Sequence, residues 1–161
     1  VDAIAAASGL HLLRKLIAVE TSTASLTGLA SLSSLRELDI SSTNISSLSG
    51  LDDAGALRVL TAESLALTSL AGVEDAPLLH TLFASDNEIS SLEPVASSKS
   101  LSTVQLDDNL VEELSPLLTS ELPEFSGEIS LQENSGFSCD AYDNAREELN
   151  ASSIFLNVNC P

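Results

Sequence analysis

Apolar residues recur along this chain in a frame too long for one helix and too regular for a set of hairpins. Between positions 79 and 92 they fall at Leu79, Leu82, Ala84, Ile89 and Leu92, with Asn87 among them. Shifted back by 22 residues, the frame reads Leu57, Leu60, Ala62, Leu65, Leu67 and Leu70; shifted again, Leu35, Leu38, Ile40, Thr43, Ile45 and Leu48. A weaker copy lies at Leu13, Leu16, Ala18, Thr21, Thr23 and Leu26, and another follows at Leu101, Val104, Leu106, Asn109, Val111 and Leu114. A fixed period of this length means stacked units, each covering the apolar side of the next. Inside each unit, Leu-x-x-Leu-x-Leu alternates apolar and polar positions as a short strand does. Six strands stacked in parallel are expected, around Leu16, Leu38, Leu60, Leu82, Val104 and Ile129. A second apolar ladder pairs Leu26, Leu48, Leu70, Leu92 and Leu114 with Leu29, Leu51, Val73, Val95 and Leu117. Its three-residue spacing suits 3₁₀ or single-turn helical pieces on the opposite, convex side.

Departures from the frame predict local irregularities. The polar position after each strand reads Thr21, Thr43, Leu65, Asn87, Asn109 and Asn134. An Asn amide both donates and accepts, so it can satisfy a turn's backbone groups; Leu65 can do neither. An altered turn with Leu65 buried is expected there. The fifth unit is lengthened between Ser115 and Phe125, so the strand Glu128–Gln132 comes three residues late. Its two prolines and Phe125 should pack on the convex side. Ile4 and Ala7 fit the register of Leu48 and Leu51, so the chain opens in the back half of an incomplete unit. An amino-terminal cap is then lacking or lies in an unseen segment. From Cys139 the pattern changes. Asp140 is the expected N-cap of a helix with Ala141, Ala145 and Leu149 on one face, and Ile154–Val158 then reads as extended. The organisation is a repeat region, 1–138, and a cap, 139–161, in one domain, because the last unit of a solenoid needs covering.

The run Leu32-Ser33-Ser34-Leu35-Arg36-Glu37-Leu38-Asp39-Ile40 through Leu51 resembles the leucine-rich repeat family in its 22-residue class, with Thr43 at the Asn position. That class includes bacterial internalin-like surface proteins and some eukaryotic phosphatase regulators, and the resemblance covers roughly residues 4 to 134. It implies an α/β solenoid with parallel strands on the concave face, 3₁₀ or short helical pieces behind, and a helix-containing C-terminal cap. It also implies a binding scaffold for a protein or peptide, with no cofactor. A rigid spacer within a larger adhesin or multidomain surface protein is the alternative.

Charge and cysteine content narrow the setting. Twenty-four acidic against six basic residues give a formal charge of −18, which disfavours nucleic acid and anionic membranes as partners. No apolar run approaches the roughly 18 residues of a membrane span. The chain holds two cysteines, Cys139 and Cys160, bracketing the cap. They point to a disulfide, with two buried free thiols as the alternative and zinc disfavoured, since closed zinc sites usually have four ligands. Cysteine-bearing caps of secreted family members match the disulfide reading. A disulfide implies a periplasmic, cell-surface or extracellular location, and the chain reads as a monomeric piece of a longer secreted protein. Asn44-Ile45-Ser46 and Asn150-Ala151-Ser152 match the glycosylation sequon.

The solvent-facing strand positions form columns that carry the candidate chemistry. One column reads Arg14, Arg36, Arg58, His80 and Ser102, and the next Lys15, Glu37, Val59, Thr81 and Thr103. A third reads Ile17, Asp39, Thr61, Phe83 and Gln105. Three arginines side by side on an acidic protein oppose one another and require either local pairing with Glu20, Glu37, Asp39 and Glu63 or an anionic partner. The expected ligand-binding residues are Arg14, Arg36, Arg58, His80, Val59, Phe83, Asp39 and Thr61. Asp86, Asp107 and Asp108 form an acidic rim or a calcium site. Catalysis finds little support. His80 and Ser85 come without a nucleophile elbow, an oxyanion loop or an orienting third group.

Overall fold

The computed structural model describes residues 2–7, 9–118 and 125–160. Seven strands, each of three or four residues, lie in one parallel sheet in chain order: β1 (Lys15–Ile17), β2 (Glu37–Asp39), β3 (Val59–Thr61), β4 (Thr81–Phe83), β5 (Thr103–Gln105), β6 (Gly127–Ser130) and β7 (Ile154–Asn157). Register follows the sequence period, with Leu16 beside Leu38, Leu38 beside Leu60, and Leu60 beside Leu82. The strands are short because the chain must turn away after each Leu-x-Leu to bury the second ladder. Among the described residues, one more strand is present than the six expected. The segment after the cap helix joins the sheet as β7, and Leu131 N donates to Asn157 O at 2.8 Å, as Ala84 N does to Gln105 O at 2.9 Å between earlier strands.

Behind the sheet the convex side is built from short pieces. These are α1 (Ala3–Ala6), α2 (Glu93–Ala96) and 3₁₀ turns at Leu29–Ser31, Leu51–Asp53 and Ser115–Leu118. The core between the two sides is aliphatic: Leu38, Leu60, Leu82, Leu48, Leu70 and Leu92 are all buried. Ile4 and Ala7 are buried in register, as the incomplete first unit requires. Gly72 adopts φ +108 and lies so close to Leu48 O that an added Cβ would stand 2.7 Å from it. Glycine there lets adjacent units approach closely. In the lengthened unit Phe125 is buried and Pro116 half-buried; Pro123 lies outside the described residues.

Each unit leaves its strand through one residue in the left-handed region: Glu20 (φ 55), Ser42 (φ 54), Ser64 (φ 54), Asp86 (φ 57), Asp108 (φ 54) and Glu133 (φ 56). None is glycine, so each turn costs on the order of 1–3 kcal/mol that its surroundings offset. The Asn ladder supplies part of the offset. Asn87 Nδ2 donates to Ala62 O at 2.9 Å and Ala84 O at 3.0 Å, while its Oδ1 accepts from Leu65 N at 3.1 Å and Leu67 N at 2.9 Å. Asn109 and Asn134 act alike on Ile89 N and Val111 N, both at 2.9 Å. Thr43 manages only one such bond, from its hydroxyl to Ile40 O at 2.7 Å. Leu65 is buried, and its turn carries a second left-handed residue, Ala66 (φ 56), as the loss of an amide there predicts.

The cap is α3 (Cys139–Ala151) followed by β7, with Cys139 and Cys160 joined in a disulfide. The helix is capped by Ser138, whose hydroxyl accepts from Ala141 N at 3.2 Å, and not by Asp140. Asp140 instead lies in the first turn, where a negative charge suits the helix dipole. Ala145 and Leu149 are buried as expected, but Ala141 is exposed; Tyr142, half-buried, packs against the core in its place.

Candidate functional site

The parallel register carries the basic column into space. Arg36 N donates to Arg14 O at 2.8 Å, Arg58 N to Arg36 O at 2.9 Å, and His80 N to Arg58 O at 3.0 Å. These four residues therefore stand shoulder to shoulder at the entry edge of the concave face, one strand spacing of ~4.8 Å apart. Arg14, Arg36 and Arg58 are exposed. Among the described residues the one ion pair is Lys15 Nζ to Glu37 Oε2 at 2.8 Å, and the three guanidinium groups make none. That hydrogen bond and the charge of Glu37 raise the pKa of Lys15 above the ordinary lysine value. Asp39, the next acid along β2, is engaged elsewhere. Asp39 Oδ1 accepts from Ser41 N at 3.1 Å and Ser41 Oγ at 2.8 Å, fixing the exit of β2. Among the described residues, local ion pairing, the plainer account of the arginines, is not seen.

The floor beside the column is uncharged where β3 and β4 meet. Val59 lies beside Thr81, and Thr61 beside Phe83; all four are half-buried. His80 Nδ1 lies 2.8 Å from Thr81 Oγ1, which holds the imidazole against this floor. The structure thus brings Arg36, Arg58, His80, Val59, Thr61 and Phe83 together on one surface, with Arg14 and Asp39 at its amino-terminal side.

The exit edge is acidic. Asp86 Oδ2 accepts from Ser64 Oγ at 2.7 Å. Asp107 accepts from Ser130 Oγ at 2.6 Å and Gln132 N at 2.9 Å on one oxygen and from Gln105 Nε2 at 3.0 Å on the other. Asp108 is exposed. Among the described residues no group of three or more His, Cys, Asp or Glu side chains is arranged to hold a metal ion. The calcium reading of Asp86, Asp107 and Asp108 draws no support from this arrangement, in which the first two carboxylates act as turn acceptors.

Toward the cap the concave face continues past the residues that sequence reasoning singled out. Phe83, Gln105, Glu128, Ser130 and Asn157 border a shallow open depression of ≈ 340 Å³. Phe155 stands in the column of Lys15, Glu37 and Val59, directly beside Glu128, and is 58% exposed. It was missed because it follows the helix and falls outside the 22-residue frame. The alternation of Ile154 and Leu156 inward with Phe155 outward was the available signal.

Two solved structures share this architecture. Internalin C2 from Listeria monocytogenes superposes with a TM-score of 0.63 at 32% sequence identity, over 74% of this chain and 52% of that one. The chain is a leucine-rich repeat protein of the 22-residue, internalin-like class. Internalin F from the same organism gives a TM-score of 0.62 at 15% identity, over 92% of this chain and 48% of that one, and shows the fold alone. This repeat protein spans about half the length of both internalins. No protein-family model and no curated protein matches it. Among the described residues no helix is long and apolar enough to cross a membrane.

Proposed function

We propose that this leucine-rich repeat protein is a recognition module that holds a protein or peptide partner on its concave face, outside the cytoplasm. One observation carries the reading: three exposed arginines at the entry to adjacent strands, without an ion pair among the described residues, on a protein of charge −18. Aligned like charges are mildly destabilising, so an isolated solenoid gains nothing from keeping them together. Guanidinium groups bind carboxylates in bidentate fashion, and the uncharged floor of Val59, Thr61, Thr81 and Phe83 supplies the apolar centre that a protein interface needs. The disulfide supports an oxidising compartment.

Selection of a displayed random-peptide library on the immobilised protein tests the reading. Binders should be enriched in Asp and Glu, should weaken as salt is raised from about 0.15 M, where charges are screened over ~8 Å, to 1 M, and should be lost on Arg36→Glu/Arg58→Glu. Binders indifferent to both the salt and the double substitution would place recognition elsewhere on the molecule.

A further inference from the structure

The spacing and lateral polarity of the concave face point to the shape of its partner. We infer that the face from β1 to β4 is a cradle for a single α-helix of a partner protein, lying across the strands along the solenoid axis, with carboxylates on one flank only. This rests on the concave-face reading above and gives it a geometry.

Three observations converge. The first is pitch. Arg14, Arg36, Arg58 and His80 rise in steps of ~4.8 Å, at heights of about 0, 4.8, 9.6 and 14.4 Å. Residues i, i+3, i+7 and i+10 of an α-helix rise to about 0, 4.5, 10.5 and 15 Å, matching every basic position to within about 1 Å. Alternate residues of an extended peptide step by about 6.7 Å, and the third step is already some 6 Å out of register. The second is width. From Arg58 at the entry edge to Glu63 at the exit edge is five residues, at most about 16 Å, and an α-helix with its side chains is about 10–12 Å across. The third is polarity. The entry edge is basic, while Glu63, Asp86, Asp107 and Asp108 follow the exit edge. A helix acidic all round would be attracted on one side and repelled on the other. The floor beneath its β3–β4 half, Val59, Thr61, Thr81 and Phe83, is uncharged and half-buried, so the helix face pointing down there should be apolar, while its β1–β2 half passes over the Lys15–Glu37 pair and Asp39. The partner is therefore an amphipathic helix of at least three turns, with Asp or Glu at i, i+3, i+7 and i+10 beside an apolar stripe.

Three fluorescent synthetic peptides of one composition test this by anisotropy at physiological salt. The first is Ala-rich and helical, with Glu at i, i+3, i+7 and i+10 beside a Leu stripe. The second moves the same Glu residues to i, i+2, i+4 and i+6, and the third keeps the first pattern but exchanges a terminal Pro with a central Ala to break the helix. The first should bind at least ~10-fold tighter than either of the others, and Arg36→Glu/Arg58→Glu should cost it ~10-fold or more. Circular dichroism of the double variant, which alters only exposed side chains, controls for folding. If the second or third peptide binds as tightly as the first, and still depends on the arginines, the helix is wrong and the basic concave site survives. Binding of the first peptide that ignores the double substitution overturns both. Failure of the first peptide to bind overturns the helix, with the library selection deciding the broader reading. A sulfated oligosaccharide that outcompetes the first peptide overturns a helical partner in favour of a glycan.

Discussion

The two ends of the solenoid treat the same exposed core edge in different ways. At the carboxyl end, α3 packs against β7 and the 3₁₀ turn Ser115–Leu118, and the cap's own Leu149, Ala145 and Ile154 are buried. The disulfide fastens the start of that helix to the segment after β7. At the amino end, Leu13 and Leu16 hold the positions of Leu35 and Leu38, which are buried, yet both remain half-exposed. Leu12 beside them is 88% exposed and Ile17 62%. A solenoid core depends on neighbours, so a leucine contributes according to what stacks on it, not according to its place in the repeat. The strongest basic column begins at this less covered end, where Arg14 and Arg36 stand.

Substitutions that open a cavity should separate the ends most clearly. Leu149→Ala should lower unfolding stability by about 2–5 kcal/mol in a denaturant titration, the range for a fully buried leucine. Leu16→Ala, at the half-exposed end, should cost only about 1 kcal/mol, because most of the area it loses is already in water. Equal costs would mean that the amino end is covered as well as the carboxyl end.

The disulfide comes next. Cys139→Ser/Cys160→Ser should lose about 3 kcal/mol, the chain-entropy value for a loop of this length. The loss should appear as early exchange of amide hydrogens in α3 and β7, while β2 to β4 stay protected. Uniform loss of protection would show that the cap and the repeats unfold as one unit. Gly127→Ala should destabilise the same end by about 1–3 kcal/mol, because Gly127 has φ +153 and an added Cβ would run into Ser102 O. Thermal unfolding of Gly127→Ala beside Gly55→Ala, where nothing lies within 4 Å of an added Cβ, isolates that clash.

The smallest effect belongs to Lys15. Its raised pKa means the pair with Glu37 contributes at neutral pH and is lost as pH climbs through the raised lysine value. Both partners are at least half exposed, so Lys15→Met should leave the denaturation midpoint at pH 7 within error. A measurable drop would show that β1 is held by charge where burial is incomplete.

What was legible in the sequence was whatever repeats. Leu38, Leu60 and Leu82 named their own strands, because one frame predicts all of them. Leu65 announced an altered turn by interrupting that frame. β7 was not legible as a sheet member, since Ile154 follows a helix and Ile129 pairs with Leu156, 27 residues on instead of 22. The cap start was misplaced because Ser138 and Asp140, both good N-caps, stand two residues apart, and only the bond to Ala141 N distinguishes them. The unpaired state of Arg36 and Arg58 was equally hidden. Glu37 and Asp39 are close in sequence, but their bonds to Lys15 and Ser41 occupy them.

The Asn ladder makes the length of this protein an adjustable quantity. Each amide reaches back 20 to 28 residues to close the turn of the unit before it, so it belongs covalently to one unit and functionally to the previous one. Duplicating a 22-residue block therefore copies the lock together with the strand it secures, and inserts between existing units without disturbing either neighbour. Insertions of other sizes have no such immunity. The lengthened unit before β6 shows what one requires: a glycine at Gly127 and a dedicated approach to Ser102. By genetic copying alone, the concave face grows in increments of ~4.8 Å, each bringing one fresh position to every column.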